Sequence, residues 1–195
     1  MKKEDLRIKK TKVRLYNGLV HLMEKESFED IKITDICKAA MINRSTFYDH
    51  FDDKFALLIA LMQDSKEELK NTFEKSNTMK KAKTINQFFL ELISELILFL
   101  SKKEKNYSVL TIIQNNNHSV FYDMMYETIL DTIIIEIEKN YTIKKEIAKE
   151  SIAIFYTSAI TKVISELLLK KEIEAEIVKK QLTILLPNID YLQHK

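Results

Sequence analysis

"ITDICKAAMINRSTFYDHFDDKFALL", residues 33–58, decides how this chain is read. Ile33, Ile36, Cys37 and Ala40 recur at helical spacing, so a short helix is predicted over 33–40. Asn43 follows, a favoured N-cap whose side-chain oxygen accepts from the open amides of the next turn, and a second short helix is predicted over 44–50. On that helix Phe47 and Phe51 lie four apart and point inward, which leaves Arg44, Ser45, Thr46 and Tyr48 on the outer side near its N-terminal end. Phe51 closes it, and "DDK" opens a long helix with Asp52 or Asp53 as cap. Two short helices about three residues apart, the second rich in polar groups, make a helix-turn-helix, whose second helix meets base edges and phosphates when it lies in a major groove. The alternative is an ordinary core corner in which Tyr48 and His50 are merely half-buried.

Working outward, Leu6, Val13, Leu15, Leu19, Leu22 and Met23 predict an amphipathic helix over 6–25 that ends at the polar "EKES", after which Phe28 and Ile31 anchor the turn. Beyond residue 55, helices are predicted near 53–75, 82–101, 106–116, 119–139, 144–170 and 173–189. They are divided by polar breaks such as "EKSNTMKK", "SKKEKN", "QNNNHS" and "KNYTIKK". One glycine and one proline in 195 residues leave little material for hairpins, and the chain reads as all-α.

The net charge of +2 says little, but residues 1–14 hold Lys2, Lys3, Arg7, Lys9, Lys10, Lys12 and Arg14 against Glu4 and Asp5. A basic tip on a near-neutral body suggests an anionic partner met at one end; a solubilising tail is the other reading. Cys37, the single cysteine, rules out an internal disulfide and reads as a small buried hydrophobe. No signal peptide is recognised, and the greasiest stretches, "FFLELISELILFL" and "TILDTIIIEIE", are broken by acids and too short for a membrane span, so a cytoplasmic protein is expected. His21, His50, His118 and His194 are scattered, and a single glycine cannot build a phosphate-cradling loop, so neither a metal site nor an enzyme nor a cofactor is expected.

In its matching elements, the helix from Ile36 to Ala40, the capped turn, "TFYDHF" and Lys54, the segment 33–58 resembles the DNA-binding segment of the TetR/AcrR family of bacterial transcription regulators. With the lead-in from Leu15 to Phe28 the resemblance covers about 45 residues; the rest matches only in length and helical character. It implies that Arg44 and Ser45 read bases and that Thr46, Tyr48, His50 and Lys54 approach phosphates or sugars. Lys32 and Thr34 then stand near the DNA backbone. The chemistry agrees, since arginine forks onto guanine O6 and N7 and hydroxyls donate to phosphate. Three positions depart from the family. Met41 replaces its turn glycine, so a positive backbone angle would cost energy and the turn is expected to be shaped differently. Lys32 replaces a hydroxyl cap, and Asp49 lies in the reading helix, where it repels phosphate unless a cytosine amine or a neighbouring cation takes it up.

The expected organisation is an N-terminal three-helix helix-turn-helix domain, 1–54, followed by a larger helical effector-binding and dimerisation domain, 55–195. Two stripes are candidates for the dimer contact: Ala148, Ile152, Phe155, Ala159 and Val163, and Ile173, Ile177, Ile184 and Leu185. The resemblance implies that two such pairs form a four-helix homodimer interface. Aromatics and methionines gather in the middle helices, and Phe88, Phe99, Tyr107, Phe121, Tyr122, Met125, Phe155 and Tyr156 are candidates to line a pocket for a small-molecule effector, with plain core as the other outcome. The function expected is a homodimeric regulator, a repressor of a palindromic operator in double-stranded DNA that the effector releases. The alternative is a co-regulator or activator of the same fold that works through a protein partner.

Overall fold

The computed structural model describes residues 3–101, 118–143, 147–169, 177, 180–181, 184–185 and 192–194. Among them run helices α1 (Lys3–Met23), α2 (Ile33–Ala40), α3 (Arg44–Tyr48), α4 (Lys54–Lys75), α5 (Asn77–Lys80), α6 (Ile85–Ser101), α7 (His118–Asn140) and α8 (Lys149–Leu169). The expected all-α architecture is present, with one addition. Strand β1 (Tyr141–Ile143) pairs antiparallel with β2 (Leu192–His194), setting Tyr141 opposite His194 and Ile143 opposite Leu192. Part of the expected break "KNYTIKK" is therefore extended, which suits an aromatic followed by two β-branched residues. The helix expected over 106–116 and most of that over 173–189 lie outside the described residues.

The chain divides into two compact units, and the first passes into the second after Ser65, inside α4. In the first unit, α1 buries Leu15, Tyr16, Leu19, Val20 and Met23. Leu6 and Val13, expected in the same stripe, are exposed. The buried stripe starts only at Leu15, so the basic first turns of α1 stand open. Gly18 lies where α1 meets α2: a Cβ there would come 3.0 Å from the Ala40 nitrogen and 3.1 Å from the Ile36 oxygen. A side chain would meet backbone, which cannot swing aside, so the glycine sets the closeness of the two helices. That explains a residue that costs an interior helix roughly 1 kcal/mol relative to alanine.

α4 is held against α1 by the Tyr16 hydroxyl, which donates to Asp64 Oδ2 at 2.9 Å. Burial first, then that bond, push the Tyr16 hydroxyl well above its ordinary pKa. Asp53 caps α4, accepting from the Ala56 amide at 2.7 Å, which decides between the two candidate caps. In the second unit, Phe88, Phe89, Leu92 and Leu96 of α6, Met125, Ile129 and Ile133 of α7, and Ile152, Tyr156 and Ile160 of α8 are buried. The Phe89 and Tyr156 rings stack with centroids 4.2 Å apart. No helix among the described residues is long and apolar enough to cross a membrane.

Candidate nucleic-acid interface

The short helix α3 cannot be stable alone, because a helix of five residues makes too few bonds to repay its nucleation. Its packing supplies the difference. Phe47 is fully buried and Phe51 nearly so; each such ring contributes about 1.5–3 kcal/mol by leaving water. The two centroids are 6.1 Å apart, and Tyr16 of α1 lies 6.3 Å from Phe51. The two phenylalanines expected to hold the helix do so.

The turn between α2 and α3 keeps its shape despite the missing glycine. Met41 adopts φ 53°, ψ 49°, in the left-handed region. Its amide donates to the Lys38 oxygen at 3.2 Å and the Ile42 amide to the Cys37 oxygen at 2.9 Å. These two bonds form a Schellman motif, which satisfies carbonyls that the end of α2 would leave open. A different turn was expected; the motif instead overrides the roughly 1–2 kcal/mol that a side chain costs in that conformation. Asn43 stands at the N-cap of α3 with extended backbone, but its side chain makes no cap bond, contrary to expectation. Its carbonyl accepts from the Phe47 amide at 3.1 Å, so the backbone alone starts the helix. Lys32, at the N-cap of α2, likewise makes no side-chain cap bond.

Phe47 faces inward, and the opposite face of α3 is open. Arg44 and Ser45 are exposed, Thr46 and His50 half-buried, and Tyr48 is 45% exposed. Arg44 Nη2 donates to the Tyr48 hydroxyl at 3.3 Å, and the guanidinium lies 5.6 Å from the Tyr48 ring centroid. One turn of helix therefore presents a planar cation backed by an aromatic ring, a form suited to the edge of a base. Lys32 and Thr34 are exposed at the start of α2. Asp49 is exposed, and no cation pairs with it among the described residues. Burial pushes the Cys37 thiol up in pKa while nearby Arg44 pulls it the other way, as suits a packed thiol rather than a reactive one.

Lys54 is a correction. It was expected to approach phosphate, but Nζ donates to the carbonyls of Phe28 at 2.8 Å, Glu29 at 2.7 Å and Ile31 at 2.9 Å. An ammonium has three protons, and all three are taken. The charge also lies 4.9 Å from the Phe28 ring centroid. Lys54 fastens the loop before α2 to the start of α4 and has no donor left for DNA. Sequence spacing gave no sign of this, because the carbonyls sit more than twenty residues upstream.

The effector candidates separate into three groups. Phe88, Phe99, Met125 and Tyr156 are buried and Tyr122 is half-buried, as a lining or a core requires. Phe155 is corrected: at 64% exposed it points away from the interior, because the buried face of α8 runs through Ile152, Tyr156 and Ile160. Tyr107 and the side chain of Phe121 lie outside the described residues. In the expected contact stripe Ile152 is likewise buried within the unit, and Ile154 takes its place beside Phe155 and Ala159 on the exposed face.

Residues 15–61 match the family model described as bacterial regulatory proteins, tetR family. A curated relative, the HTH-type dhaKLM operon transcriptional activator DhaS of Lactococcus lactis subsp. lactis (strain IL1403), is 27% identical over 121 residues, 60% of this chain and 57% of the relative. The match thus spans little more than half the length of that relative. Among solved structures, the dihydroxyacetone kinase operon activator DhaS superposes with a TM-score of 0.62 at 22% identity, over 90% of this chain and 93% of that one. The fatty acid degradation regulator FadR from Bacillus halodurans superposes with a TM-score of 0.69 at 14% identity and the same two coverages, 90% and 93%. At such identities these structures speak for the fold alone.

Proposed function

We infer from its membership of the TetR family, carried by residues 15–61, that this transcription regulator binds a palindromic operator as a homodimer and is a repressor that a small-molecule effector releases. The observation that carries the DNA half is the open face of α3, with Arg44 and Ser45 in its first turn and Tyr48 behind the guanidinium. Set in a major groove, Arg44 forks onto a guanine and Ser45 meets a neighbouring base edge. Lys32, Thr34, Thr46 and His50 lie against phosphates and sugars, and the open basic turns of α1 add sequence-independent attraction. Functionally we divide the chain at 54/55, with residues 55–195 carrying dimerisation and effector binding. The buried aromatics of α6 and α8, with Met124 and Met125 of α7, support an apolar effector, and we place the protein in the cytoplasm.

The second reading, an activator working through a protein partner, is favoured by the Lactococcus lactis relative, which is described as a transcriptional activator. Selection of bound fragments from random duplex DNA tests the first half of the proposal. A two-fold symmetric site is expected. On it Arg44→Ala should lose roughly 1–3 kcal/mol and relax the choice at one base pair per half-site, with little change on scrambled DNA. Equal losses on both DNAs would reduce Arg44 to a backbone contact. No selected site at all would remove the DNA-reading proposal.

A further inference from the structure

The four threonines of α7 and α8 follow a rule that one of them breaks. A threonine inside a helix ordinarily turns its hydroxyl back to the carbonyl four residues earlier. Thr128 does so to Met124 at 2.8 Å, Thr132 to Thr128 at 2.7 Å and Thr161 to Thr157 at 2.7 Å. Thr157 is as deeply buried as Thr161, yet its Oγ1 makes no hydrogen bond. A buried donor without a partner costs stability that valine in its place would avoid. One turn further along α8, the Thr161 hydroxyl stands 3.2 Å from that of Tyr122, which stacks on Tyr126 at the half-buried edge of α7. α8 thus carries an unspent hydroxyl at Thr157 and, one turn on, a hydroxyl at Thr161 that touches a phenol bordering solvent.

We propose that Thr157 is the polar anchor of a ligand site between α7 and α8 for a small neutral molecule bearing a hydroxyl or carbonyl group, with Tyr122 at its entrance. This rests on the effector reading above. Neutrality follows from the company. The buried polar residues of α7 and α8 among those described are Thr128, Thr157 and Thr161, all hydroxyls, and no charged side chain is buried among the described residues. A carboxylate or ammonium there would leave water without a counter-charge. A hydroxyl or carbonyl instead exchanges one hydrogen bond with water for one with Thr157, and its apolar body packs against side chains such as Tyr156. Because the Thr157 oxygen is closed to solvent, entry requires side chains around it to move, and the half-buried Tyr122, one turn along, is the one nearest solvent that a hydroxyl of this face touches.

Cyclohexanol, cyclohexanone and cyclohexanecarboxylate share a ring and differ in the polar group, so they serve as probes in thermal melts of wild type, Thr157→Val and Thr157→Ser. Without probe, Thr157→Val is expected to melt about 2–4 °C above wild type, because the unpaired hydroxyl is gone. A neutral probe should raise the wild-type and Thr157→Ser midpoints, and the carboxylate should not. In Thr157→Val that rise should disappear. A lower midpoint for probe-free Thr157→Val would mean that the hydroxyl already has a partner, an enclosed water included, and would overturn the proposal. An equal probe-induced rise in Thr157→Val, a rise with the carboxylate as large as with the neutral rings, or no rise with either neutral ring would do the same. Operator affinity measured alongside separates the two readings: probe binding lost in Thr157→Val without any effect on wild-type DNA affinity would keep the site and remove its regulatory role.

Discussion

α3 and α8 are both amphipathic, and both put an aromatic ring in water, yet only α8 leaves a large aliphatic side chain exposed beside it. α3 exposes Arg44, Ser45, Tyr48 and Asp49 around a buried Phe47. α8 exposes Ile154, Phe155 and Ala159, with Val163 half-buried, over a buried row of Ile152, Tyr156 and Ile160, and keeps Glu150, Ser151, Lys162 and Glu166 exposed around them. A polar face on a short helix loses little by standing in water and gains by meeting phosphates and base edges. An apolar face gains mainly by meeting another apolar surface. On the function proposed above, the first face reads DNA and the second meets another subunit, as a regulator with two heads on one operator requires.

The largest expected effect breaks the α8 side of this comparison. Ala159 is exposed beside Phe155 and Val163, so Ala159→Arg would put a charge into the proposed helix contact. Light scattering at micromolar concentration should report twice the 23.0 kDa chain mass for the wild type and a single chain mass for the variant. Operator affinity should fall by orders of magnitude, because each half-site would then be bound without help from the other. A dimeric Ala159→Arg would move the contact elsewhere on the body.

Lys54 sharpens the comparison from the α3 side. A phosphate contact would lower the slope of log affinity against log salt by about one unit when removed, whereas a fastener would not. Its three carbonyl bonds make Lys54→Met a stability variant: a loss of about 2 kcal/mol is expected, since bonds to a charged donor are worth more than neutral ones and water recovers part of the loss. Urea unfolding measures the first quantity and a salt titration of DNA binding the second. An unchanged stability with a shallower salt slope would restore the phosphate role.

What could be read from the sequence follows the range of the interactions. Helix α2 and the inward pair Phe47 and Phe51 were legible because each depends on residues within a few positions of one another. The start of α4 was legible to within a residue because Asp52 and Asp53 mark it locally. Lys54 was not, since its partners lie 23 to 26 residues upstream and are carbonyls, which every residue carries. Gly18 left a faint sign, a lone glycine inside a helical pattern, whose meaning depends on where α2 passes. On α8 the spacing put Ile152 and Phe155 in one stripe, and only packing separated buried Ile152 from exposed Ile154 and Phe155. Val13 failed for the same reason, because periodicity marks a face without saying whether anything covers it.

The smallest effect concerns the turn that aims α3. Met41 is 83% exposed, so little packing is lost with its side chain, while its φ of 53° strains any residue but glycine. Met41→Gly relieves roughly 1–2 kcal/mol of that strain. It also loosens the unfolded chain, which takes back about 0.4–1 kcal/mol. A net gain of about 0.5–1 kcal/mol is expected, read as a higher urea midpoint at unchanged slope. Both Schellman bonds come from backbone amides, so the angle between α2 and α3 should persist, and operator preference with it. A loss of stability would show that the methionine side chain makes a contact worth more than the strain. An altered base preference would show that the turn, and not only the exposed face of α3, sets what this helix reads.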